Sequence, residues 1–307
     1  MHLLIPFASA LGDNAAQIVK DLALPELGRA LSLLRLDAPL VGSDEYSLTP
    51  PHERALAELW GWQGADGALP FAAQHAQLDG VAVNDLCWAE LTPLHLRVGA
   101  EQVSAIDTAA LHLDADASRA LFEALAELFP AAEGWLTAWA APLRWYVAHA
   151  SLQGLPSASL DRVLGRGVDP WMPDARRLRT LQNEVQMLLH NHGVNDAREA
   201  RGELVVNSVW ISGCGTAQAL RPTLELQIDW RLRGPLLAGD WAAWIEAWRA
   251  LDAGPVHELV QNAAKGQVVR LTLCGERFAQ SYCLQPRPWW RRWWSPPRDV
   301  APALEAV

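Results

Sequence analysis

Lysine is almost missing from this chain. Only Lys20 and Lys265 occur within a Lys+Arg total of 25, so arginine carries nearly all the positive charge. Tyrosine and phenylalanine are scarce too, at 3 and 5, against 16 tryptophans, so indole rings must supply most of the aromatic burial. The four cysteines (Cys87, Cys214, Cys274, Cys283) make no CxxC pair, and a chain of 307 residues is too long for a disulfide mini-scaffold. Reduced thiols in a cytosolic protein are expected. No run of 18 uncharged apolar residues occurs, which excludes an apolar transmembrane helix. The start, MHLLIPFASALG, lacks a basic n-region and its apolar run is short, so it reads as a first buried strand rather than a signal peptide. Basic excess is absent as well: the formal net charge is −10, which argues against nucleic acid as a partner. Half the residues are apolar, enough for a sizeable core in one large domain or two modest ones.

The periodicity predicts elements of both kinds. Residues 2–8 read as a strand. Residues 14–36 read as helix broken near Pro25, with Leu22, Leu27, Leu31 and Leu34 at helical spacing. Residues 37–51 form a proline-rich loop, and Thr49 is expected to cap a helix that carries Leu56 and Leu59 into Trp60-Gly61-Trp62. Residues 88–98 and 103–113 read as strands, and Asp114 or Asp116 caps a helix over 117–129. Residues 134–140 and 143–147 suit a hairpin around Pro142, 155–174 a loop, and 178–190 a helix. Strands are expected at 204–211 and 224–232, a Trp-faced helix at 241–251, and a hairpin over 268–284 around Gly275. No repeat of solenoid length appears. Strands and helices alternate without a clean βαβ order, which points to an α/β or α+β fold.

The stretch 183–215, NEVQMLLHNHGVNDAREARGELVVNSVWISGCG, is the most distinctive. Its His192, Val194, Asn195, Arg198, Gly202, Asn207, Gly213 and Gly215 resemble the archaeal-type, cofactor-independent phosphoglycerate mutases of the alkaline phosphatase superfamily. A weaker collinear likeness covers 56–73, where Gly61-Trp62 stands for the family's Gly-Tyr. The whole chain also resembles a proteobacterial family of unknown function labelled RpfE-type regulatory or phosphoglycerate mutase-like. The resemblance implies a degenerate alkaline-phosphatase-like scaffold: a mixed sheet flanked by helices. On that reading residues 1–85 and 205–285 form a discontinuous core domain, 86–204 an inserted α+β domain, and 286–307 a Trp/Arg/Pro-rich tail.

The mutase chemistry needs a serine nucleophile and two metal ions about 3.5–4 Å apart. Where the resemblance implies the first metal ligand, after strand one, this chain has Pro6-Phe7. Where it implies the nucleophile, the chain has His52-Glu53, which leaves these two as the catalytic candidates. Beyond Gly215 the only histidine is His257, with no aspartate beside it, and the strand expected to bring later ligands has neither Asp nor His. No metal site and no cofactor are therefore called for.

Other residues carry weaker signals. His190 and His192, two apart, point to different helix faces and suit a solvated helix end. Cys214 between two glycines lacks a base to activate it. Ser208 and Ser212 lack the GxSxG frame. The anion-binding candidates are His95, Arg97, Arg162, Arg166, Asn195 and Arg198; the competing reading is local hydrogen bonding and surface ion pairs. Trp289, Trp290, Arg291, Arg292, Trp293 and Trp294 are partner-binding candidates, since Trp and Arg dominate interface hot spots, and cation–π folding onto the domain is the alternative. Three readings follow: a catalytically degenerate cytoplasmic binding or regulatory protein, a phosphoryl-transfer enzyme with a rebuilt site, or a self-associating, homo-oligomeric structural protein.

Overall fold

The computed structural model describes residues 1–100, 102–173, 176–221, 224–284 and 296–307. The chain divides into two compact units, residues 1–45, 50–61 and 221–307 in the first and 46–49 and 62–220 in the second.

The first unit opens with β1 (His2–Ile5), buried along its whole length. The strand stops earlier than the apolar run predicts, because Pro6 has no N–H to continue a ladder. The helix expected over 14–36 is two helices, α1 (Asp13–Asp21) and α2 (Pro25–Leu33), split where Pro25 starts the second at its first turn. β2 (Leu34–Leu36) and β3 (Val41–Gly42) follow, then α3 (Pro51–Trp60). Thr49 does not cap α3: Pro50 holds the N-cap position, and Thr49 Oγ1 accepts the Gly67 amide at 2.8 Å within the second unit.

The second unit contains α4 (Phe71–Leu78), β4 (Cys87–Leu94), β5 (Leu96–Val98), β6 (Val103–Ala105), α5 (Ala115–Ala124), β7 (Leu136–Ala141), β8 (Arg144–Ala148), α6 (Leu160–Val163), α7 (Arg176–His190), α8 (Gly193–Ala200) and β9 (Ser208–Thr216). β7, β8, β4 and β9 form an antiparallel sheet in that order. Asp114 caps α5 through the Ala117 amide, as expected. The strand expected over 103–113 ends at Ala105, and the chain then turns into a 3-10 segment capped by Asp107. α8 was not legible as a helix; it begins at Gly193, a weak helix former, and its cap is His192, whose Nδ1 accepts the Val194 amide at 3.2 Å.

β9 decides the boundary between the units. It pairs with β4 from Cys87↔Thr216 to Leu94↔Ser208, and α4 packs on it. Residues 62–85 and 205–220 therefore belong to the second unit, not to the core domain the sequence suggests. Gly213 (φ 65) and Gly215 permit this packing: a Cβ would sit 2.7 Å from Ala72 N at the first and 2.7 Å from Pro70 Cα at the second. The Gly-Cys-Gly element is thus a strand end against which a helix start is pressed.

The chain returns to the first unit with β10 (Leu226–Ile228), α9 (Arg233–Leu237), α10 (Trp241–Leu251), a π-turn (Asp252–Val256), α11 (His257–Ala264), β11 (Arg270–Cys274) and β12 (Phe278–Leu284). β1 lies between β10 and β11, parallel to both; β12 and β2 extend the sheet antiparallel, and β3 pairs with β12. This is a mixed sheet flanked by helices. Leu3, Ile5, Leu271 and Leu273 face a core with Leu27, Leu31, Trp244, Trp248 and Leu259, while α3 packs against β12 and β3. Asp252 of the π-turn accepts the Glu26 and Leu27 amides at 3.1 and 2.7 Å, supplying the cap that α2 lacks. Residues 296–307 are no loose tail: Val300, Ala301 and Leu304 are buried in this core, and the Arg298 amide donates to Gly28 O. The Trp289–Trp294 run lies outside the described residues.

Tryptophan does fill the interior. Trp88, Trp145, Trp210, Trp244 and Trp248 are among the largest fully buried side chains. No helix among the described residues is long and apolar enough to cross a membrane.

Candidate functional site

In open sheets with parallel strands, ligands gather outside the carboxyl ends of those strands. In the first unit that place follows β1 and β10. Phe7 sits just beyond β1 with φ 58, a left-handed backbone that L-residues with bulky side chains rarely adopt. Its ring is 8 % exposed and lies 5.3 Å from the imidazole of His52. His52, in the first turn of α3, is 2 % exposed. Trp230, just after β10, closes against His52 edge-on at 5.4 Å and is itself 43 % exposed. Trp244 Nε1 donates to Phe7 O at 3.1 Å and fixes the strained turn from beneath. Next to Trp230, Asp229 is buried; its carboxylate pairs with Arg231 at 2.9 Å and accepts the Arg231 amide. Glu53 follows His52 on α3 and is half-buried.

This donor set does not fit a pair of metal ions. Two hard cations bridging a phosphoryl group require several carboxylates or imidazoles converging. Here the converging groups are two aromatic rings and one imidazole, and the nearby carboxylate is held by its own arginine. Among the described residues no group of three His, Cys, Asp or Glu side chains stands close enough to hold a metal.

The six anion-binding candidates all lie in the second unit. Asn195 and Arg198 are buried, and their polar atoms meet backbone. Asn195 Nδ2 donates to Leu189 O and Val206 O at 2.8 and 2.7 Å, and its Oδ1 accepts the Val206 amide. Arg198, 1 % exposed, donates to Leu204 O and Leu111 O and pairs with Glu203. Arg162 is also buried; its Nη2 donates to Ser47 Oγ at 2.8 Å and its guanidinium lies 5.8 Å from the Trp171 ring. His95 Nδ1 meets Val205 O at 2.9 Å. Arg97 is exposed on β5, opposite Ser104 of β6, and Ser104 in turn bridges to Gly167. Strand alternation sets Arg97 on the face of β5 opposite Leu96 and Val98. On the side away from Arg97, a groove of about 600 Å³ is lined by Leu96, Val98, Val103, Met172 and Met187, with His190 at one wall.

Two polar clusters escaped the sequence reading. Asp79 accepts a bidentate pair from Arg144 at 2.8 Å and a bond from the Tyr146 hydroxyl at 2.7 Å. Burial pushes the Asp79 carboxyl up, but those donors together pull it below the usual carboxylate range, while burial and nearby carboxylates raise the Tyr146 phenol. His75 Nδ1 meets Glu90 at 2.8 Å beside them. These residues come from α4, β4 and β8, and nothing local in sequence links them. The second cluster is His149, whose ring is stacked at 4.4 Å on Trp135 and bonded to Ser151 Oγ and to Glu133 O.

Cys214 is buried, and that burial raises its thiol to about 11, so the residue is no thiolate nucleophile at neutral pH. Cys87, on the neighbouring strand, is pushed up to about 12 by burial and by Cys214.

The chain matches no protein-family model and none of the curated proteins. Among solved structures it is similar to the cofactor-independent phosphoglycerate mutase from Thermoplasma acidophilum, at 14 % identity over 99 % of this chain and 98 % of the other, with a TM-score of 0.38. It is also similar to the PH0037 protein from Pyrococcus horikoshii, at 10 % identity over 92 % of this chain and 87 % of the other, with a TM-score of 0.46.

Proposed function

We propose that this protein is a phosphomutase-like scaffold that no longer performs phosphoryl transfer and acts in the cytoplasm as a binding or regulatory protein. One observation carries the reading. At the carboxyl ends of β1 and β10, where the sequence resemblance implies a nucleophile and metal ligands, Phe7, His52 and Trp230 pack ring against ring. A ring packed into a reaction centre removes both the space and the donors for a transferring phosphoryl group.

The test is a coupled assay of 2- and 3-phosphoglycerate interconversion on the purified full chain, with Mn²⁺, Mg²⁺ or Co²⁺ supplied in turn and bound metal quantified. The expected result is no turnover with any metal and no stoichiometric metal. Metal-dependent turnover that disappears in His52→Ala would overturn the reading and establish a rebuilt site.

A further inference from the structure

The antiparallel sheet of the second unit ends on β7, and the backbone direction along that edge follows from its neighbours. His149, just past β8, donates its amide to Cys87 O of β4 at 3.0 Å. Successive residues of a strand paired on both sides bond to alternate neighbours. Val147 and Trp145 therefore bond toward β4, and Ala148 and Tyr146 bond toward β7, opposite Leu136 and Ala138. The amides and carbonyls of Thr137 and Trp139 then point away from β8, out of the edge of the sheet. Among the described residues nothing bonds to them there.

The side chains of β7 are already housed. Trp139 packs on the face of Trp145 and Val147, with its Nε1 bonded to Ser118 Oγ at 2.9 Å and the Arg119 guanidinium 3.6 Å over its ring. Ala138 and Ala140 pack on the other face with Tyr146 and Ala148. What the strand still offers is its backbone, and Leu136 and Thr137 are exposed beside it. The opposite edge strand, β9, is buried over its first four residues. Natural edge strands usually carry a charge, a proline or a bulge that blocks pairing. Residues 134–143 hold no charged side chain, in a chain that is 20 % charged. The bulge of β7 falls past Trp139 and Pro142 lies beyond the strand, so residues 136–139 have none of these devices.

The register chooses the occupant. An antiparallel edge can meet its own copy about a two-fold axis, where the same patch serves both sides. With the axis at Ala138, Thr137 lies opposite the partner's Trp139, and each such pair exchanges both N–H···O bonds. The small alanine at the axis lets the strands approach, and a β-branched residue beside an aromatic ring is a favourable cross-strand pair. We propose that β7 pairs with the β7 of a second copy of this chain, antiparallel about a two-fold axis at Ala138, and joins two four-stranded sheets into one. One strand edge buries little area, so the dimer belongs to the weak, reversible class.

The experiment is sedimentation equilibrium of the full chain from about 1 to about 200 µM in about 0.15 M salt, which covers weak interfaces and screens the like charge of two acidic copies. Amide hydrogen exchange is read at both ends of that range. The mass is expected to rise from 33.7 kDa toward twice that value. The Thr137 and Trp139 amides are expected to exchange about tenfold more slowly at the high concentration. Thr137→Pro removes an amide that faces away from β8, a place where an edge strand tolerates proline, and is expected to leave only monomer. Should that variant not fold, Thr137→Lys at the same exposed position places a charge on the pairing edge and is expected to do likewise. A monomer at about 200 µM, a dimer retained in the folded variant, or a dimer whose Thr137 and Trp139 amides exchange as fast as in the monomer would overturn the proposal.

Discussion

The imidazole of His52 meets the indole of Trp230 edge-on, with ring centroids 5.4 Å apart and planes at 89°. Edge-to-face contact is the arrangement aromatic rings favour, and it adds to the area each ring buries. Phe7 meets the same imidazole, with ring centroids 5.3 Å apart and planes tilted by 39°.

Phe7→Ala tests that packing. The substitution leaves the left-handed backbone in place and removes a buried ring, so a loss of about 3 kcal/mol is expected. Urea unfolding of the two proteins measures it; a change near zero would show that the ring contributes nothing to the fold.

Asn195→Ala should be costly for a different reason. It strands Leu189 O and Val206 O without their side-chain donor and the Val206 amide without its acceptor. A loss of about 2–4 kcal/mol is expected from buried groups left unpaired. A neutral result in thermal unfolding would release Asn195 for a role in binding.

His2 makes stability depend on pH. Burial, with help from Arg270, lowers its ring from 6.5 to about 4, and its Nε2 meets Thr272 Oγ1 at 2.8 Å. The unfolded chain then binds the extra proton more readily than the folded one, so stability falls as pH drops from about 6.5 toward 4. The contribution is about 3 kcal/mol. Denaturant midpoints at pH 7 and pH 5 should converge in His2→Gln; an unchanged difference would assign the pH dependence elsewhere.

Thiol reactivity should follow burial. Burial raises all four thiols, and Asp37 adds to this at Cys283, but Cys283 is only half-buried whereas Cys87, Cys214 and Cys274 are buried. An aromatic disulfide reagent at neutral pH is expected to label Cys283 in the native protein and the other three only after unfolding. Fast native labelling of Cys214 would reopen it as a nucleophile.

Gly213→Ala is expected to cost more than 2 kcal/mol or about that, since the added Cβ meets Ala72 N at 2.7 Å and the backbone there has φ 65. Full stability in this variant would mean that α4 can move off β9.

Much of the local structure was legible. The leucines of α2, the Trp-faced α10 and the hairpin of β11 and β12 announce themselves through period and punctuation. α8 was not, because Gly193 and a histidine cap give no ordinary start signal. His52 was singled out on a short likeness, yet its partners were not, since Phe7, His52 and Trp230 are far apart in the chain. Asn195 and Arg198 were legible as polar residues that must bond something; that the acceptors are backbone carbonyls, one of them 87 residues away, was not.

The amino-acid sequence alone determined the class of this protein. Its apolar share and its mixed periodicities require a mixed α/β fold with a Trp-filled core, because secondary structure and burial follow from patterns a few residues long. The tertiary structure decided the rest. Pairing of β4 with β9 assigned 205–220 to the second unit, and the meeting of β1, α3 and β10 brought the rings of Phe7, His52 and Trp230 together. Such outcomes depend on contacts between residues tens to hundreds apart, and no local pattern encodes which distant partner fills a given space.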